Sequence, residues 1–371
     1  MVSKTMTALN KSKMKVLVGL SGGVDSTATA FLLKERGYEV TGVTMSIQDS
    51  SLNLSPKANS CISGNETAQH AEIAEIADSL KIPFHIIDCK EEYKKLVLDN
   101  FKQEYLSGRT PNPCVRCNSF IKFGALLREC EKQGIAFDKF ATGHYAQIVE
   151  PTSATNRYGI KMATDAHKDQ SYFLYRLSQE QLAKLMFPLG GFTKAEVRKI
   201  ARDAGLSVSE KKESQDFGQN YNELLGVADK KGNIVDTNGK ILGKHNGFWH
   251  FTVGQRRGLG VAAERPLYVL QIDPRWNEVV VGYEDECLQD SFTVKDVVSG
   301  LIDIKPGEEM EAMVRVRSSQ YTMYNVQCTI PNSQPATEIV CKLHTPQRAI
   351  SPGQSAVFYR DNCILFGGVI V

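Results

Sequence analysis

The pattern of hydrophobic positions predicts an N-terminal part in which strands alternate with helices. Lys15–Leu20 is a short run rich in valine and leucine, typical of a buried parallel strand. Apolar residues at helical spacing follow over Thr27–Lys34, and a second strand is predicted over Glu39–Met45. Further helices are predicted over Glu66–Leu80, Lys90–Leu106, Leu182–Leu185 and Thr193–Ala204, and a strand over Phe84–Ile87. Elements in this order predict an α/β fold with a doubly wound parallel sheet.

The pattern changes to strands alone after residue 225. Gly232–Gly243 has the composition of a hairpin, and the remainder alternates short strands with turns such as Pro306-Gly307 and Pro352-Gly353. Many short strands in succession predict a small barrel. We therefore predict a disordered leader over residues 1–13, a doubly wound α/β domain with a helical part over 14–225, a small α/β linker domain rich in strands over 226–290, and a C-terminal β-barrel over 291–371.

Composition places the chain among ordinary globular proteins. Of its 371 residues, 42% are hydrophobic and 23% are charged, and the net charge is only +2. An RNA partner would therefore have to bind a local basic patch. Nine cysteines are an odd and scattered set, which favours reduced thiols in a cytoplasmic protein over a disulfide framework. Residues 1–13 lack the apolar core of a signal peptide and no apolar run approaches membrane-spanning length, so no membrane contact is expected.

The turn Ser21–Ser26, with the sequence SGGVDS, connects the first predicted strand to the first predicted helix. Glycines in such a turn let backbone N–H groups converge on an anion, and the helix N-terminus adds its positive end. No Gly-Lys-Ser/Thr closes the turn, so it is not a Walker A loop. An ordinary glycine-rich turn is disfavoured by the density of hydroxyl and carboxylate groups. The turn resembles the PP-loop of the ATP pyrophosphatases, which split ATP between its α- and β-phosphates and transfer AMP to a substrate oxygen.

The pair Cys114 and Cys117 follows Pro111 and Pro113 at a predicted helix start. A helix N-terminus and nearby arginines lower the pKa of a thiol, so the pattern predicts reactive cysteines. A structural Cys₄ zinc site would need a second CxxC, which the sequence lacks. A simply packed pair is the other alternative, although a proline-rich loop is a poor place for packing.

Five further features of the sequence suggest a functional role, and some of them also have a simpler structural explanation. Met45, at a strand end, is predicted either to contact an adenine or to be a core residue. Gly143 lies in a turn after a strand, where it would approach a nucleotide, and the adjacent His144 is expected to be structural rather than a base. Lys168–Leu174 has the polar character of a substrate contact. Lys244–Gly260 interleaves cations with aromatic rings, as nucleic-acid-binding segments do, although β-proteins also bury aromatic rings.

Together these stretches are similar to the tRNA-specific 2-thiouridylase family. The resemblance covers nearly the whole chain, through GLSGGVDS, GRTPNPCVRCN, ATGHYA, KDQSYFL, GFTKAEVRKIA, HNGFWHFTVGQRRGLG and SPGQSAVFYRDNCILFGGVIV. It implies an enzyme that uses ATP and Mg²⁺ to adenylate O2 of the wobble uridine of tRNA and then replaces that oxygen with sulfur, releasing AMP and pyrophosphate. It also implies a cysteine desulfurase or sulfur-relay protein as sulfur donor, and we expect a monomer.

The resemblance assigns roles to residues by position. Cys117, Cys114 and Asp25 would be catalytic, with Cys117 at the position of the first catalytic cysteine and Asp25 beside the metal. ATP would be bound by Gly19, Leu20, Ser21, Gly22, Gly23, Val24, Asp25, Ser26, Met45 and Gly143. The target base would contact Asn112, Pro113 and Cys114, and the rest of the tRNA would contact Lys168, Asp169, Gln170, Arg317 and Ser318.

One position departs from the family pattern. The family usually has a second, persulfide-carrying cysteine where this chain has Gly218, and no cysteine lies between Cys130 and Cys287. The sulfur would then pass through Cys114, which replaces a common Asp, and Cys117, either as a dithiol or as ligands of a [4Fe–4S] cluster. Because the two substitutions occur together, the sequence slightly favours the cluster. Its third ligand would be one of Cys61, Cys89 and Cys130.

The departure leaves other functions open. One alternative is a divergent paralogue that thiolates another RNA position. Another is a paralogue that lost the carrier cysteine and binds RNA without catalysis. A PP-loop ligase that forms amide or C–N bonds is a third candidate, which the paired thiols and the predicted barrel disfavour.

Overall fold

The computed structural model describes residues 13–48, 65–153, 155–211, 221–318, 322–332, 338–348 and 350–371. Most of the predicted leader, Cys61 and Gly218 lie outside the described residues.

The first domain alternates strands and helices along the chain. Its elements are β1 (Lys15–Gly19), α1 (Val24–Glu35), β2 (Glu39–Ser46), α2 (Glu66–Ser79), β3 (Phe84–Asp88), α3 (Lys90–Tyr93), a π-helical turn (Lys94–Leu98), α4 (Asp99–Leu106), α5 (Pro113–Arg116), a π-helical segment (Cys117–Ala125), α6 (Leu126–Lys132), β4 (Lys139–Ala141), β5 (Ala146–Val149), β6 (Gly159–Met162), a 3₁₀ turn (Ser171–Leu174), α7 (Gln179–Lys184), β7 (Leu185–Met186), α8 (Lys194–Asp203) and α9 (Tyr221–Leu225).

The rest of the described chain is built from strands and short 3₁₀ turns. Its elements are β8 (Gly232–Val235), β9 (Ile241–His245), a 3₁₀ turn (Phe248–His250), β10 (Tyr268–Asp273), β11 (Glu278–Gly282), a 3₁₀ turn (Asp285–Cys287), β12 (Leu288–Ser299), β13 (Glu309–Arg315), β14 (Tyr324–Thr329), β15 (Glu338–Arg348), β16 (Ser355–Arg360) and β17 (Cys363–Ile370).

The first domain is organised around a parallel sheet of strand order β3-β2-β1-β4-β7. Apolar residues of α1, α2 and α8 pack on one face of the sheet, against Val16 and Val18. The segment Cys117–Ala125 and α6 pack on the other face, against Leu17 and Phe140. The predicted doubly wound α/β fold is therefore confirmed. Strand order reverses between β1 and β4, and ligands of such sheets bind at the carboxyl ends of strands at that point.

Most predicted elements agree with the structure, and the differences have local causes. Helix α1 begins at Val24, inside the glycine turn, because Gly23 acts as its N-cap. The predicted helix over Lys90–Leu106 is interrupted by a π-helical turn. The predicted helix Leu182–Leu185 is displaced: α7 begins at Gln179 with a Ser178 capping box, and Leu185 pairs with β4 as an edge strand.

The two strand-rich parts form separate sheets. Strands β8–β11 form a sheet of order β10-β11-β8-β9, so the hairpin predicted over Gly232–Gly243 is confirmed. Strands β12–β17 form a six-stranded barrel that closes through the pairing of β12 with β17. The β5–β6 hairpin of the first domain joins the barrel sheet beside β17, where Cys363 pairs with Lys161. Within the described residues, no helix has the length and apolar character needed to cross a membrane.

Candidate functional site

The phosphate loop, Ser21–Ser26, holds its shape through its own hydroxyl groups. The Ser21 backbone N–H donates to Ser26 Oγ at 3.1 Å, and Ser26 Oγ donates to the Gly23 carbonyl at 3.1 Å. Gly22 adopts a φ of 72°, a conformation that favours glycine. Gly23 caps α1 without a side-chain hydrogen bond, and the N–H groups of such a helix start can bind an anion.

Two residues outside the loop hold the Asp25 carboxylate. Lys194 Nζ lies 2.8 Å from both Oδ1 and Oδ2 of Asp25, and the Tyr145 hydroxyl donates to Oδ1 at 2.8 Å. The side chains of Lys194 and Asp25 are 11% and 28% exposed. The carboxylate is therefore held in one orientation and partly shielded from water at the N-terminus of α1.

The sequence analysis did not identify Lys194 or Tyr145. Lys194 is the first residue of α8, after the Thr193 capping box, where the helix dipole disfavours a cation. The only signal in the sequence was a lysine at a helix start, which does not identify its anionic partner. Tyr145 lies within the ATGHYA motif, but nothing in the sequence connects its hydroxyl to Asp25.

Several residues predicted to bind ATP have side chains that are buried, or are glycines. Leu20 and Val24 are buried in the core beneath the loop. A Cβ on Gly143 would lie 2.8 Å from the Asp25 carbonyl carbon and from the Ser26 nitrogen. The close approach that requires glycine at position 143 is thus to the phosphate loop itself. Met45 is partly buried against the core at the end of β2, so both of its predicted roles remain open.

His144 has the structural role expected for it. It is buried, its Nδ1 lies 2.7 Å from Thr142 Oγ1, and its ring packs against Phe123 and Phe187. Burial, assisted by the charge of Lys122, keeps the pKa of His144 well below its usual value. The imidazole is therefore neutral at physiological pH.

The cysteine loop, Gly108–Cys117, leads into a helix as predicted. Asn112 caps α5 by accepting a hydrogen bond from the Val115 N–H at 3.3 Å, and Pro113 is the first helical residue. Cys114 on α5 and Cys117 at the start of the π-helical segment are half-buried thiols and form no disulfide. The arginines expected to activate them have partners: Arg109 forms a bidentate pair with Glu104, and Arg116 Nε donates to the Leu96 carbonyl.

The structure does not add Cys89 or Cys130 to this pair. Both thiols are fully buried, and burial raises the pKa of each to about 12. Among the described residues, no three His, Cys, Asp or Glu side chains are grouped closely enough to hold a metal ion. Two of the three expected third ligands of a cluster therefore do not fit, and Cys61 lies outside the described residues.

The segment Lys168–Gln170 lies between the two loops. Gln170 is bonded twice to Tyr145: its Oε1 accepts from the Tyr145 N–H at 2.9 Å, and its own N–H donates to the Tyr145 carbonyl at 2.8 Å. The following 3₁₀ turn packs against α5, and Asn118 Nδ2 donates to the Phe173 carbonyl at 3.4 Å. Contacts between neighbouring elements thus lead from α5, the helix that bears Cys114, to Asp25.

Two of the predicted tRNA contacts are occupied within the protein. The Asp169 carboxylate is enclosed and accepts a hydrogen bond from Arg315 Nη1 at 2.6 Å, so it cannot reach an external phosphate or base in this conformation. Arg317 Nη2 donates to the Val253 carbonyl at 2.6 Å and to Ser351 Oγ at 2.7 Å, and burial lowers its pKa. Lys168 and Ser318 are half-buried.

The aromatic rings predicted to stack on nucleic acid belong to the core of the central sheet. Phe248, Trp249 and Phe251 are buried, and Trp249 Nε1 donates to Asn222 Oδ1 at 2.7 Å. The stacking interpretation of these rings is therefore wrong, since a hydrophobic core accounts for them. The cations of the same stretch, Lys244, Arg256 and Arg257, are exposed.

All three domains meet at the cysteine loop. The Thr110 N–H donates to the Pro352 carbonyl at 2.8 Å, and Gln354 Nε2 donates to the Thr110 carbonyl at 3.1 Å. Thr110 Oγ1 also lies 3.4 Å from Thr252 Oγ1 of the central domain. A cavity of about 220 Å³ lies at this junction, lined in part by Gly108 and Pro352. The barrel and the central domain therefore hold the loop that carries the thiols.

Comparisons with known proteins agree with this architecture. Family models match three consecutive parts of the chain: a tRNA methyl transferase HUP domain over residues 14–218, a tRNA methyl transferase PRC-barrel domain over 223–283, and an aminomethyltransferase beta-barrel domain over 289–370. A solved 4-thiouridine synthetase–RNA complex with bound ATP has a TM-score of 0.33 and 15% identity, covering 54% of this chain and 43% of that chain, which is too low to support an argument.

Relatives match the chain at nearly full length. The tRNA-specific 2-thiouridylase MnmA of Endomicrobium trichonymphae is 46% identical over 365 residues, covering 97% of this chain and 100% of that protein. The tRNA-specific 2-thiouridylase MnmA of Lachnoclostridium phytofermentans is 42% identical, covering 96% of this chain and 99% of that protein. The family model over residues 14–218 and these relatives at nearly full length show that the chain belongs to the tRNA-specific 2-thiouridylase MnmA family.

Proposed function

We propose that the protein is an ATP-dependent tRNA uridine 2-sulfurtransferase that acts on the wobble uridine in the cytoplasm. The observation that carries this proposal is the connection between its two reactive loops. The helix bearing Cys114 packs against a segment that is hydrogen-bonded to Tyr145, and Tyr145 donates to Asp25 of the phosphate loop. Activation of an oxygen by ATP and its replacement by sulfur are two steps that need these two loops side by side.

The phosphate loop suits the first step. The C2 carbonyl of uracil is a poor electrophile whose oxygen is a poor leaving group. Attack of O2 on the α-phosphorus breaks the bond to the bridging oxygen, releases pyrophosphate and places AMP on O2. The backbone N–H groups of the loop are arranged to stabilise the phosphate charge. The oxygens of Asp25 and Ser26 are of the kind that Mg²⁺ prefers, and the ion would neutralise phosphate charge there.

The cysteine pair suits the second step. A sulfur nucleophile attacks C2 and AMP departs with the original oxygen. On the dithiol route, the terminal sulfur of a persulfide on one cysteine forms the new C–S bond. The other thiolate then attacks the carrier sulfur, which breaks the S–S bond, releases the thiolated base and leaves a Cys114–Cys117 disulfide. An external thiol reductant restores the pair. The persulfide would come from a cysteine desulfurase or a sulfur-relay protein.

An iron–sulfur cluster is the alternative sulfur carrier. Of its expected third ligands, the structure leaves only Cys61, which is outside the described residues, so we derive no step through the cluster. Measuring the iron content of the purified protein distinguishes the two routes, because only the cluster route requires iron.

The function itself is tested with purified protein and unmodified tRNA transcripts. We expect AMP and pyrophosphate to form in a tRNA-dependent manner, and 2-thiouridine to appear at the wobble position when a sulfur donor is added. Thiolation at another position would support a divergent paralogue. Tight tRNA binding without pyrophosphate release would support an RNA-binding protein without catalysis. A monomer is expected throughout, since one chain carries both loops.

A further inference from the structure

We propose that Lys194 and Lys211 are catalytic residues that bind the phosphates of ATP from opposite sides of the phosphate loop. The proposal rests on the proposed adenylation and names the cations that this reaction requires. The proposal starts from the absence of a cationic side chain in the phosphate loop. Ser21–Ser26 contains no lysine, so its own groups offer only N–H and hydroxyl donors to a strongly anionic triphosphate.

Lys194 stands at the Asp25 end of the loop. Its Nζ is bonded to both carboxylate oxygens at 2.8 Å and lies over the Tyr145 ring, 5.7 Å from the ring centroid. Its backbone N–H is held by Asp165 Oδ2 at 3.0 Å. The start of α8 is therefore fixed, while the four-carbon side chain remains able to move its ammonium group from the carboxylate to a phosphate.

Lys211 stands at the opposite end of the loop. Its Nζ would lie 3.7 Å from a Cβ on Gly22, which places the ammonium group against the loop backbone. There it is bonded to Glu72 Oε1 of α2 at 2.5 Å. Ile73, the next residue of α2, packs against the same glycine at 3.2 Å from that Cβ position. The two ammonium groups thus flank the loop, one beside Gly22 and the other beside Asp25.

The counter-ions explain how the phosphate loop tolerates two neighbouring cations. Asp25 and Glu72 neutralise one lysine each. A triphosphate carries more charge than either carboxylate and accepts charge-assisted hydrogen bonds from lysine, so both ammonium groups are expected to turn toward it. When pyrophosphate leaves, negative charge accumulates on the departing oxygens, and cations placed beside them stabilise the transition state.

The structural alternative is that these are simple ion pairs. It makes a different prediction for Lys211, because that pair is exposed, with side chains 39% and 46% accessible, and exposed pairs contribute little to stability. A purely structural Lys211 would therefore be dispensable for both folding and activity. The pair on α8 between Lys199 and Asp203 is a matched control, at the same distance of 2.5 Å and more exposed.

The test compares Lys211→Met, Lys211→Arg and Lys199→Met. It measures tRNA-dependent pyrophosphate release and the affinity for an ATP analogue with a methylene group between the α- and β-phosphates. We expect Lys211→Met to lower kcat/KM for ATP by about 10-fold or more, the scale of a lost charge-assisted hydrogen bond. Its thermal midpoint should match the parent, Lys211→Arg should retain part of the activity, and Lys199→Met should equal the parent.

Lys194→Met is expected to lower ATP turnover further and also the thermal midpoint, since it leaves Asp25 without its cation. Because Lys194→Met changes both ATP turnover and stability, the result for Lys211→Met is the one that tests the proposal. Suppose that the parent enzyme releases pyrophosphate, and that Lys211→Met releases it at the same rate and binds the ATP analogue with the same affinity. The proposal that Lys211 binds the phosphates of ATP would then be wrong. If the parent releases none, the proposed function fails instead, and analogue binding still reports on the lysines.

Discussion

Arg315 and Asp169 form an ion pair in the interior of the contact between the first domain and the barrel. Arg315 Nη1 lies 2.6 Å from Asp169 Oδ2, and the side chains are 1% and 0% exposed. Asp169 also accepts from the Ser171 hydroxyl at 2.8 Å and from the Ala163 N–H at 3.0 Å. The carboxylate that the motif suggested for tRNA binding therefore ties β13 of the barrel to the segment that holds Tyr145.

Arg315→Met should destabilise the protein strongly. Removing one partner of a buried ion pair costs about 3–5 kcal/mol, because the other charge is left buried without compensation. We expect a large fall in the thermal unfolding midpoint. The double variant Arg315→Met, Asp169→Leu should recover much of it, since no buried charge remains. A midpoint for Arg315→Met within error of the parent would contradict the ion pair.

Asp25→Asn and Ser26→Ala should abolish AMP formation while the protein remains folded. The first removes the carboxylate charge beside the phosphates, and the second removes the hydroxyl that closes the phosphate loop on Gly23. The measurement is tRNA-dependent release of AMP and pyrophosphate. Thr29→Val, in the same helix but with its hydroxyl bonded to the Asp25 carbonyl at 2.8 Å, is the control and should stay near the parent rate. Unchanged release by both variants would remove the phosphate-loop assignment.

Binding of tRNA should weaken steeply with salt through the exposed cations of the central domain. Each phosphate contact contributes a slope of about −0.7 to −0.9 in log K against log salt. Arg256→Gln, Arg257→Gln and Lys244→Gln should each reduce the slope by roughly one such contact. Lys132→Gln, whose exposed lysine pairs with Glu129 on α6, should not change it. A slope near zero for the parent would count against RNA as the substrate.

Both cysteines of the pair should be required for thiolation. Since the family resemblance places Gly218 where relatives carry the second cysteine, we expect Cys114→Ser and Cys117→Ser each to eliminate 2-thiouridine without preventing pyrophosphate release. Protein prepared without oxygen distinguishes the carriers: a cluster gives about four irons per chain, lost in Cys61→Ser, whereas a dithiol gives iron-free protein. If Cys114→Ser thiolates at the parent rate, sulfur must arrive on an external carrier.

Native alkylation should separate the thiols by burial. Because the pKa of Cys89 and of Cys130 is raised to about 12, very little of either thiol is ionised at pH 8, and both are fully buried. At pH 8, mass spectrometry should find the reagent on Cys114 or Cys117 well before either buried residue. Equal labelling of Cys89 in the folded protein would show that the core around it opens.

Local patterns predicted the parallel sheet and the positions of the phosphate loop and the cysteine loop. The apolar run before SGGVDS and the Thr193 capping signal depend on neighbours in sequence, so they could be read without a structure. The hydrogen-bond partners of Asp25 could not be predicted from the sequence. Tyr145 and Lys194 are 120 and 169 residues away in sequence, and only the fold brings them together. The same holds for the aromatic rings around Trp249, whose burial follows from a sheet formed by distant strands.

The turn around Gly353 has a consequence for how the chain can be recombined. Gly353 adopts a φ of 91°, and a Cβ there would lie 2.9 Å from the Thr110 nitrogen. The barrel thus contacts the cysteine loop through the backbone of Gly353, which has no side chain. The contact depends on the shapes of both the glycine turn and the cysteine loop. A chimaera that joins this first domain to a foreign barrel would misplace the thiols unless the foreign barrel supplied the same glycine turn. Thr110 and Gly353 lie far apart in sequence, and such a chimaera would have to exchange them together.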